Sequence, residues 1–132
     1  MAYFYFMSRT NPFDIVSDFN DAINSRDAGR LASLMSDDHT FIDSSGARVT
    51  GRKDSIAAWE GFFNQFPDYK NLFEHMEIHE NVVITFGHSK CSDERLRGPA
   101  LWTATIKNNL IQEWRVYADT PANRQLLKVP VV

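Results

Sequence analysis

The sequence predicts an α+β fold in which a curved, mostly antiparallel sheet wraps helices gathered at the N-terminal end. Residues 12–66 hold three segments whose apolar positions recur every three or four residues, whereas residues 70–118 hold four segments in which apolar and polar positions alternate. Helices first and a meander last argue against alternating βαβ units. The chain has 132 residues and one cysteine, enough length for one core without disulfide staples.

Each element has a local cause. Asn11 before Pro12 reads as a helix cap followed by proline at the first helical position, and Phe13, Val16, Phe19 and Ile23 then give an apolar stripe over 12–24. Asp27 caps a second, shorter helix with Leu31, Leu34 and Met35 on one side, which the run Ser36, Asp37, Asp38 is expected to end. The strand HTFIDSS follows, with His39, Phe41 and Asp43 on one face and Thr40 and Ile42 on the other. SSGARVTGR holds one short strand between turn residues. In KDSIAAWEGFFNQF, Ile56, Trp59, Phe63 and Phe66 mark a third amphipathic helix that stops before Pro67. Strands are then expected near 70–79, 82–91, 100–107 and 110–118, with turns at Glu80-Asn81 and Asn108-Asn109 and a polar loop from Cys91 to Pro99. One helical turn closes the chain. The expected organisation is a single domain over 11–127, a loose tail over 128–132, and an N-terminal segment over 1–10 that is either an aromatic arm or a mis-assigned start ahead of Met7.

Composition narrows the function classes. A net charge of −3 with no cluster of Lys and Arg gives no footprint for a phosphate backbone, so nucleic acid is not expected as a partner. No run of 18 apolar residues points to a membrane span, and the lone Cys91 suits a reducing, cytoplasmic setting. Scattered glycines form no phosphate cradle, no nucleophile elbow is present, and no cofactor is expected. His75, Glu77 and His79 share one strand face. Metal ligation is one reading of that stripe, but Leu72, Met76 and Ile78 supply an apolar opposite face expected to turn inward, so the histidines read as a solvent or dimer face and no metal is assigned. His88 continues the face of Val82, Ile84 and Phe86 toward a pocket mouth, and His39 reads as a rim or surface residue.

The strings FNDAINSRDAGRLASLMSDDHTFID, GARVTGRKDSI, FPDY and NNLIQEWRVYADTPANRQLL, in that order, resemble the SnoaL-like branch of the nuclear-transport-factor-2-like superfamily over residues 13–127. The resemblance implies a cone-shaped fold with a deep apolar pocket between the helices and a curved sheet, commonly dimeric. It also brings ketosteroid isomerases, polyketide cyclases and limonene epoxide hydrolases into view. Asp43 falls where the isomerases keep a general-base aspartate, and a carboxylate at the rim of an apolar pocket should have a raised pKa that suits proton transfer. Phe19 and Trp102 stand where those isomerases carry oxyanion-binding donors, and Val116, two residues after Trp114, stands where the epoxide hydrolases carry an aspartate.

The implied activity is therefore a small-molecule pocket protein. Either it is a cyclase, isomerase or lyase-type enzyme acting on an apolar or carbonyl-bearing substrate through Asp43, or it is a non-catalytic binding or dimeric assembly module. Phe19, Trp59, Phe63, Tyr69, His88, Trp102 and Trp114 are the substrate-binding candidates; the aromatic members suit a cavity wall and a plain core alike. The resemblance sends Trp114 inward, leaving Thr103, Thr105, Arg115 and Tyr117 on an outward face suited to a homodimer contact.

Overall fold

The computed structural model describes residues 11–131, and the arm expected over 1–10 lies outside them. Helix α1 (Pro12–Asn24) starts where Asn11 accepts the Phe13 N–H at 2.9 Å and Pro12 occupies the first turn, where no N–H is needed. Ile15, Val16, Phe19, Ala22 and Ile23 form its buried stripe. Asp27 caps helix α2 (Ala28–Leu34) by accepting the Arg30 N–H at 3.0 Å. At the corner between them, Arg26 adopts a left-handed φ of 58° and donates to the Pro67 carbonyl at 2.6 Å. That bond ties the α1–α2 corner to the end of helix α3 (Arg52–Gln65), from which Trp59 and Phe63 enter the core.

Six strands form one curved, open sheet: β1 (Met35–Ile42), β2 (Arg48–Thr50), β3 (Lys70–His79), β4 (Val82–Lys90), β5 (Gly98–Lys107) and β6 (Leu110–Ala118), in the order β2-β1-β6-β5-β4-β3. Only the β1–β6 pairing is parallel. It lets the early strand close against the last one, so the sheet wraps α1 and α3. The β5–β6 hairpin turns on Asn108 and Asn109, both left-handed (φ 53° and 63°), as a tight two-residue connection requires. A short 3-10 turn (Glu94–Leu96) lies in the β4–β5 connection, and helix α4 (Pro121–Leu126) follows the sheet.

Three expectations are corrected. Ser36, Asp37 and Asp38 do not terminate α2; Met35 is already extended, and those residues belong to β1. The reason is a bulge: between the pairings Met35–Ile111 and Thr40–Glu113, β1 advances five residues while β6 advances two. A second bulge between Phe73 and His75 shifts the faces of β3. Leu72 therefore points away from the core, 37% exposed, while Phe73 and Met76 pack against it. Over its described part, 128–131, the tail expected to be loose is anchored instead: Val129 is buried, and Arg124 donates to the Pro130 carbonyl at 2.9 Å.

Candidate functional site

Between α3 and the inner face of the sheet lies a cavity of about 190 Å³, open on one side. Trp102 on β5 and Trp114 on β6 form its floor, Trp59 and Phe62 on α3 one wall, and Phe41 on β1 another. Strand alternation accounts for the floor, because Trp114 lies across from Ala104 on β5 and Trp102 across from Val116 on β6. Edge-on ring contacts, Phe41–Trp59 at 5.4 Å and Trp59–Phe62 at 5.8 Å, hold the walls. Leu96, from the β4–β5 connection, reaches the mouth. That connection is held by Asp68, which accepts the Ser92 N–H at 2.9 Å and the Ser92 hydroxyl at 3.1 Å.

Asp43 lies on the cavity wall just beyond β1, as its shared face with Phe41 requires, but its carboxylate is engaged locally. Its Oδ1 accepts the Ser45 N–H at 2.9 Å, the Ser45 hydroxyl at 2.6 Å and the Ala47 N–H at 3.0 Å, while its backbone N–H donates to the Ala47 carbonyl. These bonds make the turn from β1 to β2. The Ser45 hydroxyl, chief among them, holds the Asp43 carboxyl below its usual range, so the raised pKa expected for a rim carboxylate is reversed. The cause is the count of donors, which outweighs partial burial.

A second polar side of the cavity comes from the start of β3. Asn71, 1% exposed, lines the cavity beside Tyr69. β3 is an edge strand, and Asn24 of α1 takes the place of a neighbouring strand. Asn24 accepts the Asn71 N–H at 2.9 Å and donates to the Asn71 carbonyl at 2.9 Å. Asn20, one helical turn earlier, donates to the same carbonyl at 3.3 Å. On the side chain, Ser89 donates its hydroxyl to Asn71 Oδ1 at 2.9 Å, and the Tyr69 hydroxyl lies 3.1 Å from Ser89 Oγ. Burial pushes the Tyr69 phenol above its ordinary pKa, keeping it neutral.

Of the sequence candidates, Asp43, Trp59, Tyr69, Trp102 and Trp114 meet at this cavity. Phe19 and Phe63 do not line it; they pack behind it, Phe19 with its ring 4.5 Å from Trp114 and 6.5 Å from Trp59, and Phe63 5.6 Å from Trp59. His88 stands on the opposite face of the sheet, paired with Leu72 and 2.7 Å from the Glu74 carboxylate, because the face of Ile84 and Phe86 turns away from the cavity. His39 is not a rim residue: it is fully buried beside Phe19, and its Nδ1–H donates to the Ile111 carbonyl at 2.7 Å, filling a ladder position that the β1 bulge leaves open. His75 and His79 both lean on Glu77, at 3.4 and 3.2 Å, on that outer face. Sequence reasoning missed Phe41, Phe62 and above all Asn71. The available signal was Asn20 and Asn24, four residues apart on the buried side of an amphipathic helix and in need of polar partners.

A SnoaL-like domain model matches residues 16–123, most of the chain. The chain belongs to the SnoaL-like domain family. No curated protein matches it. Among solved structures, this SnoaL-like domain is similar to a proposed polyketide cyclase from Sinorhizobium meliloti, at 18% identity and a TM-score of 0.72, covering 78% of this chain and 93% of that one. It is similar also to an LEH-like epoxide hydrolase from M. tuberculosis, at 16% identity and a TM-score of 0.72, covering 83% and 84%. A third is a hypothetical protein with a ketosteroid isomerase-like fold from Catenulispora acidiphila in complex with trimethylamine, at 16% identity and a TM-score of 0.69, covering 88% and 93%. At these identities the likeness is one of fold. Among the described residues, no helix is long and apolar enough to cross a membrane.

Proposed function

We propose that this SnoaL-like domain binds a small, mainly apolar, ring-bearing molecule in the cavity over Trp102 and Trp114. The observation that carries the reading is the cavity itself: aromatic on its floor and two walls, open on one side, and polar at two places, Asp43 with Ser44 and Tyr69 with Asn71. At about 190 Å³ it exceeds the roughly 150 Å³ apolar cavity known to hold benzene, so it suits a single ring with a substituent or one end of a longer molecule. Binding without chemistry is favoured over proton transfer because Asp43 spends Oδ1 on three local donors and has a lowered pKa, making it a weak base at neutral pH.

A second reading, an acid/base enzyme of cyclase, isomerase or lyase type with Asp43 as the proton-transfer residue, is supported by one feature. Asp43 lies on the cavity wall, and its Oδ2 accepts no hydrogen bond among the described residues.

All three tryptophans of the chain, Trp59, Trp102 and Trp114, line the cavity, so their fluorescence is a direct reporter. Titration with single-ring compounds should give saturable quenching, and that quenching should persist in Asp43→Ala. If quenching appears only as a non-saturating collisional slope, the binding reading fails. If a ligand is turned over by the wild type and not by Asp43→Asn, the acid/base reading replaces it.

A further inference from the structure

The two polar places on the cavity wall differ in what they leave unmet. At the start of β3, the Tyr69 hydroxyl is hydrogen-bonded to Ser89, at 3.1 Å, and to the Asn71 side chain, while Ser89 donates to Asn71 Oδ1 at 2.9 Å. These three side chains satisfy one another. Burial keeps the Tyr69 phenol neutral, so that side presents a ligand with no charge.

Asp43 is the other place, and its carboxylate is the one charged side chain on the wall among the described residues. Every donor it meets is neutral, the Ser45 hydroxyl or a backbone N–H of the turn, and no Lys, Arg or His pairs with it among the described residues. The arginines that flank Leu96 at the mouth are engaged within their own loop. Arg95 donates to Asp93 at 3.0 and 2.6 Å, and Arg97 lies 3.8 Å from the Glu94 carboxylate. The negative charge on the wall is therefore unbalanced. A second observation is what shares the space with it: Phe41, Trp59, Phe62, Trp102 and Trp114. The electron-rich faces of aromatic rings attract cations, tryptophan most strongly. An anion would be repelled by Asp43, and a neutral molecule would use the rings and leave the charge as it is. A cation uses both.

The geometry points to an organic cation, an alkylated ammonium borne on an apolar ring, as the class of ligand this cavity takes, with Asp43 as its counter-ion and the tryptophans as its walls. This rests on reading the cavity as a ligand site. Alkylation follows from the shortage of acceptors: a primary ammonium brings three N–H donors, and with Tyr69, Ser89 and Asn71 bonded to one another, Asp43 is left to receive them. Carbon substituents on the nitrogen meet the aromatic wall instead. Ser45 acts through Asp43 as a positioning residue, since its hydroxyl and N–H fix where the carboxylate stands.

The test uses three probes: phenyltrimethylammonium, tert-butylbenzene, its neutral isostere with carbon in place of the charged nitrogen, and benzoate, an anion on the same ring. Each is titrated into the full chain and into Asp43→Asn while tryptophan fluorescence is followed. Asparagine removes the charge and keeps a side-chain oxygen for the Ser45 and Ala47 donors. The affinity for phenyltrimethylammonium relative to tert-butylbenzene should fall about tenfold in Asp43→Asn, a modest factor for a charge pair because Asp43 is partly exposed. tert-Butylbenzene itself should bind as before. Benzoate should move the other way and gain affinity, a reversal of sign that a purely structural role for Asp43 would not produce. In the wild type, the N-methyl protons of the bound cation should give Overhauser contacts with the Asp43 β-protons and with indole ring protons. Those contacts decide the matter alone should the variant not fold.

The same cation-to-neutral ratio in both proteins, or N-methyl groups lying away from Asp43, would overturn the cation assignment, and saturable binding of tert-butylbenzene would leave the binding reading standing. Tightest binding of benzoate by the wild type would overturn it too. Absence of saturable quenching by all three would remove the binding reading beneath it.

Discussion

Asp43 and His39 show how little a titratable residue's strand position says about its chemistry. Both share a face with Phe41, yet one is a turn anchor and the other a buried spacer. Asp43→Ala removes an acceptor from three donors, so it should cost about 1–2 kcal/mol in urea denaturation while leaving quenching by ring compounds intact. Because its folded-state pKa is lowered, the stability it contributes is present above its ordinary value of 3.8 and is lost as pH falls through the folded value. His39 has the opposite charge logic. Burial lowers its pKa, so the unfolded chain takes up a proton first, and the contribution is complete above the ordinary value of 6.5 and declines below it. The melting temperature should therefore fall between about pH 7 and about pH 5.5, and the fall should be smaller in His39→Phe, although that variant starts lower because the Ile111 carbonyl loses its donor.

At the level of elements, two bulges decide which side chains meet. The β1 bulge brings His39 under the cavity, and the β3 bulge sets Asn71 and Phe73 inward while turning Leu72 out. Gly87 on β4 pairs with Phe73 at the start of the second bulge, and a Cβ there would overlap the backbone oxygen of Leu72. A backbone atom in a ladder cannot step aside as a side-chain tip can. Gly87→Ala should accordingly lose about 2–3 kcal/mol of stability, readable as a lower urea midpoint, and should disturb the Asn71 NH2 resonances two residues from the bulge. An unchanged midpoint would mean that β3 does not approach β4 as closely as described. Among the described residues, periodicity and turn chemistry located the helices and strands, but a bulge is one or more extra residues in one strand, visible only against the partner it mispairs with.

At the scale of the molecule, the sheet has two faces with different work. The inner one builds the cavity; the outer one carries Thr105, half-buried Arg115 and Tyr117, with the Arg115 guanidinium 4.7 Å from the centre of the Tyr117 ring. That face is expected to meet its copy across a two-fold axis, since a mixed aromatic and charged sheet face suits a self-complementary contact. Thr103 contributes no new area, being already 3% exposed in the single chain. Sedimentation at roughly tens of micromolar, a concentration that reveals even a weak interface, should show a dimer that Arg115→Glu shifts toward monomer. A monomeric wild type would end this assignment.

The sequence by itself determined the α+β class, the order and approximate bounds of the elements, and the caps at Asn11 and Asp27. All of these rest on interactions within a few residues or on a single period. Alternation put Asp43 on one face with His39 and Phe41, and the family resemblance, not a period, turned that face inward. Tertiary structure decided what that placement meant, because a pKa depends on which donors surround the carboxylate, and the turn supplies three. It moved His88 outside and His39 inside, since which face of a strand meets the core is fixed by its partners. It also made Asn71 the polar centre of the cavity by joining β3 to a helix some fifty residues earlier, through side chains no local pattern connects.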